Sequence, residues 1–118
     1  MEILITNNPL VEEQFRDKLN LKYSDTDLQG ILTKTRDMVH KGHRLLTHPL
    51  MGSVKPNESP YKSVLITEAP EKTDLESVKI IEESIQTALK FTPKKIPKKY
   101  LKDLQVVDLS LIRTALEK

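Results

Sequence analysis

The sequence predicts an α/β fold: one domain over residues 1–118, three-layered, with a mainly parallel sheet carrying helices on both faces. Three observations predict it. Short β-prone runs alternate along the chain with segments whose apolar residues recur every three to four positions, the pattern of strands joined by crossover helices. The first β-prone run passes directly into a helix start at Asn7-Asn8-Pro9. A length of 118 residues suits one core, since a chain of this size hides about two-thirds of its unfolded surface on folding.

Residues 2–6, EILIT, form the first strand, after which Pro9 presets φ for a helical turn and Asn8 is placed to cap it. Leu10, Val11, Phe15 and Leu19 make one inward stripe of a helix ending near Asn20, with Glu12, Glu13, Arg16 and Lys18 outward. Leu21–Ser24 is a second strand candidate. Ser24 or Asp25 opens the next helix, with Leu28, Ile31, Leu32 and Val39 inward, and Gly42 ends it in the left-handed conformation that glycine adopts without a clash. Arg44–Thr47 reads as a short strand, followed by a loop with Pro49, Pro56 and Pro60, and then by Tyr61–Thr67, the strongest strand. Thr73 and Asp74 are cap candidates for a helix over 73–90. Glu76 follows Thr73 by three as in a capping box, and Leu75, Val78, Ile81, Ile85 and Leu89 form its stripe. After Pro93 come a short helix from Pro97, a strand over Gln105–Val107 and a last helix over Leu109–Leu116. In a parallel sheet the segments beyond the strands' carboxyl ends share the edge where ligands bind. Thr6-Asn7-Asn8 and the Thr47–Pro60 loop are therefore expected side by side. An antiparallel pairing of 44–47 with 61–67 would instead make that loop a hairpin tip and carry it away from Asn7.

With 37% hydrophobic and 31% charged residues the composition is that of a soluble domain and argues against disorder. No apolar run approaches the roughly 18–20 residues of a membrane span, and an acid stands at position 2 where a signal peptide has basic residues. A cytoplasmic location is expected. The absence of cysteine excludes disulfides, thiolate metal sites and thiol redox chemistry. Net charge is only +2, yet Lys94, Lys95, Lys98, Lys99 and Lys102 are clustered, a patch suited to an acidic partner or, through charge alone, to nucleic acid. Apart from Tyr100 it lacks the aromatic and arginine interleaving of a nucleic-acid site, which makes that partner the weaker expectation.

Candidate chemistry concentrates in the run from His40 to Ser63. It holds all three histidines, His40, His43 and His48, together with Thr47, Ser53, Lys55, Asn57, Glu58, Tyr61 and Lys62. Its prolines stiffen it, so converging polar groups lose less freedom on binding. The alternative is that such loops spend Ser, Asn and Thr on their own backbone. His40, at a helix end, suits capping. His48, beside Pro49 at the expected ligand edge, is the candidate general base or proton donor. His43 and His48 would lie about 15 Å apart in an extended strand, which disfavours a metal site. An anion is better served: Ser53 and Lys55 beside Gly52, with Asn7, Asn8 and the free amides at the Pro9 helix start, form a candidate cradle. The spacing is not that of a P-loop, and the residues point to no particular cofactor.

The run RDMVHKGHRLLTHPLMGSVKPNESPYKSVLIT, with the opening ITNNPLV and the later DLESVKIIEESI, resembles the GrdX family over nearly the whole length. Its motif positions fall on His43, Thr47, His48, Pro49, Gly52, Ser53, Lys55, Pro56, Asn57, Glu58, Pro60, Tyr61, Lys62 and Ser63. GrdX proteins are small proteins encoded beside the components of glycine reductase in amino-acid-fermenting anaerobes. The resemblance implies an accessory part in the reductive cleavage of glycine, sarcosine or betaine. That system's catalytic subunits use selenocysteine and thiols, which this chain lacks. Two roles are expected: a non-catalytic accessory protein binding a glycine reductase component through helical faces or the lysine patch, or a domain or enzyme binding a small anionic metabolite such as acetyl phosphate through His48 and its neighbours.

Overall fold

A computed structural model describes residues 2–51 and 55–117. The elements follow in the order β1 (Glu2–Thr6), α1 (Pro9–Phe15), β2 (Asn20–Tyr23), α2 (Leu28–His40), β3 (Ser63–Thr67), α3 (Leu75–Leu89) and α4 (Lys98–Leu116). β1 is central in a three-stranded sheet of order β2-β1-β3, parallel to β2 and antiparallel to β3. The sheet is thus mixed, against the mainly parallel arrangement expected.

The reason lies between α2 and β3. After α2 the chain does run beside the sheet parallel to β1, over residues 44–47, as a crossover should deliver it. β3 then returns and occupies the place next to β1, with 44–47 outside it. The outer pairing is antiparallel but amounts to one bridge, Leu45 to Ile66, rather than the expected strand. Side chains replace backbone in its ladder: the Leu65 amide donates to Thr47 Oγ1 (3.0 Å) and the Arg44 amide to Thr67 Oγ1 (2.8 Å). The Leu46 and Thr47 amides both donate to the Leu65 carbonyl, at 2.8 and 3.3 Å.

Alternation along β1 sorts the core. Ile3 and Ile5 pack with Val64, Ile66 and Ile31 of α2, whereas Leu4 packs with Leu65, Val11 of α1, and Leu109 and Ile112 of α4. Helices consequently lie against both faces. α3 joins α2 through Leu32, Val39, Ile81, Ile85 and Ala88. The ends of its expected stripe are not inward: Leu75 and Leu89 are exposed, and Ser77 and Ser84 are buried instead.

Caps set the helix starts. Asp27, not Ser24 or Asp25, caps α2 by accepting from the Gly30 amide (2.8 Å). Asp74 caps α3, accepting from the Ser77 amide (3.1 Å) and hydroxyl (2.6 Å), so Glu76 does not complete the expected capping box with Thr73. The Ser77 hydroxyl, with Arg44 at 3.8 Å, holds the Asp74 carboxyl below its ordinary value. α1 is shorter than its apolar pattern suggests and ends at Phe15. The expected strand at Gln105–Val107 lies within α4, which is one helix from Lys98 to Leu116. Two adjacent valines each cost up to about 0.7 kcal/mol of helix propensity. Burial of Asp108, Leu109 and Ile112 at helical spacing overrides that local preference. No described helix is long and apolar enough to cross a membrane.

α2 ends as the sequence predicts, with Gly42 at φ +111°. A Cβ there would run into the backbone carbonyl of Glu71, whose amide donates to the Gly42 carbonyl (3.1 Å). Gly42→Ala is expected to destabilise the protein by about 1–3 kcal/mol through strain at positive φ, and by more if Glu71 cannot move. Urea unfolding of the two proteins measures it.

Candidate functional site

β1 ends in Thr6-Asn7-Asn8, and each of these side chains is buried. Asn7 faces the loop that precedes β3. Its Nδ2 donates to the carbonyls of Thr26 (2.8 Å) and Pro60 (2.7 Å), and its Oδ1 accepts from the Lys62 amide (2.8 Å). Because β3 is antiparallel to β1, its beginning meets the end of β1. The loop therefore stays at the Asn7 edge even though 44–47 and β3 run antiparallel, and the expected separation does not occur.

Asn8 works in the other direction. Its Oδ1 caps α1 at the Leu10 amide (3.0 Å), while Nδ2 donates to the Gln105 carbonyl (2.9 Å) and to Asp108 Oδ2 (3.0 Å) on α4. The same carboxylate oxygen accepts from Ser63 (2.7 Å), whose hydroxyl pairs with Thr6 (2.7 Å). Gln105 adds a bond to the Tyr61 hydroxyl (2.9 Å). Asp108 was not legible as a site residue. Its only sequence signal is an acid at an inward position of the helical pattern that includes Leu109 and Ile112, and that pattern was hidden by reading Gln105–Val107 as a strand.

Lys62 is half-buried beside this network. Its Nζ has one long contact, 3.3 Å to the Met51 carbonyl, and an ammonium carries three donors. Burial lowers its pKa from the ordinary 10.5, and the Asp108 carboxylate only partly opposes the shift.

The other nominated residues are dispersed. His43 Nδ1 donates to the Thr67 carbonyl (2.7 Å), tying the end of α2 to the end of β3. Thr47 serves the Leu65 amide. His48 is exposed on a turn, where its Nδ1 accepts from the Leu50 amide (3.1 Å). His40 reaches α3 instead of capping alone, with Nε2 3.0 Å from Glu82. Thus the three histidines occupy three separate surroundings. Lys55 is exposed, its carbonyl closing a turn with the Glu58 amide (2.9 Å). Asn57 Nδ2 donates to the Thr92 carbonyl (2.7 Å), its buried Oδ1 has no partner, and Glu58 lies 3.8 Å from Lys94. Ser53 and Gly52 lie outside the described residues. At the helix start proposed as an anion cradle, Pro9 has no amide and that of Leu10 is taken by Asn8.

Two depressions flank the loop. One of about 390 Å³ lies at the end of β1, between Asn7, Tyr23, Asp25, Tyr61 and Lys94. Partial burial and then the Asp25 carboxylate raise the Tyr23 pKa. A more apolar one of about 210 Å³ lies between Leu28, Pro56, Leu89, Phe91 and Ile96.

Fold and site together define a small α/β protein whose polar loop is pinned to the end of its central strand. The chain belongs to the GrdX-like protein family, whose model matches residues 3–117. No curated protein and no solved structure matches it.

Two outcomes follow from this geometry. Asn7→Asp keeps the shape but turns a carboxylate oxygen toward two carbonyls, and should cost about 3–5 kcal/mol in urea unfolding at pH 7, as an unpaired buried charge does. Lys62→Met should leave stability at pH 7 unchanged or higher. The penalty on the buried ammonium is complete below its lowered pKa, fades as pH rises towards 10.5 and is gone above it. The advantage of the Met variant should therefore shrink over that window in unfolding measured against pH.

Proposed function

We propose that this protein is a non-catalytic accessory protein of the glycine reductase system and that it works by binding. One observation carries the reading: the polar side chains around the conserved-looking loop are spent on the chain's own backbone. Asn7, Asn8, His43, Thr47 and Ser63 all hold strands, helix ends or loops together. Among the described residues no nucleophile is paired with a base in an open cleft. What remains is a rigid surface, and rigidity favours recognition because little ordering cost falls on the bound state. Family membership supports the reductase setting for that recognition.

A second reading is favoured by Lys62, whose ammonium is half-buried with only the Met51 carbonyl as an acceptor. A small anion, such as phosphate or an acyl phosphate, would use its remaining donors better than the exposed His48 could.

Two experiments separate the readings. Titration of the purified protein with each purified glycine reductase component should give one complex of micromolar or tighter affinity; absence of any complex overturns the accessory reading. Thermal unfolding with phosphate, acetyl phosphate, glycine, betaine and nucleotides should show no shift on that reading. For a bound anion at a hundred times its Kd, about 2.7 kcal/mol of stabilisation should appear and should be lost in Lys62→Met.

A further inference from the structure

We infer that the outer face of α4 is the docking surface for an acidic face of a protein partner; this rests on the accessory reading above and specifies its surface. α4 buries Asp108, Leu109 and Ile112. Its opposite side carries Tyr100, Val106 and Val107, which are 49, 50 and 43% exposed. At 100° per residue Val106 lies over Lys99 and beside Lys102, and Val107 lies over Tyr100, so apolar and cationic groups share one strip about 20 Å long.

Nothing within the protein accounts for this strip. Exposed β-branched residues in mid-helix oppose helix formation and leave apolar surface in water. The lysines are likewise uncommitted: among the described residues only Lys94 of the cluster has a carboxylate within 4 Å, Glu58 at 3.8 Å, while Lys99 lies over the Tyr100 ring at 5.1 Å. Lys95, Lys98, Lys99 and Lys102 thus present positive charge around a small apolar centre, the arrangement of an interface core with a charged rim.

Charge decides the occupant. A second copy meeting this face symmetrically would set Lys99 and Lys102 against their own kind. Nucleic acid or an anionic membrane would use the lysines, but nucleic acid gains little from the valines, and the cluster has no arginine for base or phosphate forks. A protein surface with carboxylates around an apolar patch satisfies both.

The test titrates each purified glycine reductase component into the 15N-labelled protein. Amide shifts should concentrate between Lys99 and Arg113. Lys99→Glu/Lys102→Glu should weaken binding at least tenfold. Val106→Ala/Val107→Ala should weaken it several-fold while holding or raising the melting temperature, since alanine is the better helix former, so weakening cannot be attributed to unfolding. A component that binds both variants as tightly as the parent overturns the assignment of α4 and leaves the accessory reading standing. Absence of binding by every component overturns both. Duplex RNA or vesicles of anionic phospholipid that bind, and that lose affinity in the lysine variant but not in the valine variant, assign the face to charge alone and overturn it as well.

Discussion

Two adjacent asparagines at the end of the central strand hold the architecture together in opposite directions. Asn7 fixes the loops that precede α2 and β3, and Asn8 starts α1 and fastens α4. The constraint is chemical as well as geometric. Each amide offers two donors and an acceptor, and burial makes any unfilled one costly. The surrounding backbone must therefore approach closely: Thr26, Pro60 and Lys62 around Asn7, and Leu10, Gln105 and Asp108 around Asn8. Apolar packing gives the sheet its two covered faces, but it is non-directional. The amide bonds specify which loop lies where.

The charged groups are placed along the same lines. Asp108 is almost fully buried, and its Oδ2 takes hydrogen bonds from Asn8 and Ser63, which links α4 to both antiparallel strands. Lys62 stands near enough to feel that carboxylate, yet burial dominates its titration. An ammonium left in such a position favours a use outside the fold, because the fold itself gains nothing from keeping it charged.

Much of the fold was legible where local chemistry and tertiary packing agree. The β1-to-α1 junction shows in Asn8-Pro9, the end of α2 in Gly42, and the inward sides of α1 and α2 in their apolar spacing. Legibility failed where long-range pairing decided. Nothing local distinguishes a 44–47 strand paired to β1 from one displaced by β3, because the outcome depends on where the later strand inserts. Gln105-Val106-Val107 has β-prone chemistry, and only the burial of residues on either side makes it helical. The candidate loop was legible as a dense polar segment. The internal use of most of its side chains was not, since a hydrogen-bond partner 50 or 100 residues away leaves no local trace.

The bond between Asn8 and Asp108 spans 100 residues, and it carries a temporal consequence. The first strand is made early, but neither its pairing with β3 nor its tie to α4 can form until those later segments exist. During synthesis at about 5–20 residues per second, β1 must wait several seconds with its apolar residues unmatched. The short, asparagine-ended strand keeps that interval tolerable: five residues bounded by Asn7, Asn8 and Pro9 offer little length for premature strand pairing with another chain. The same residues that lock the finished structure thus also limit what the nascent chain can do before it is complete.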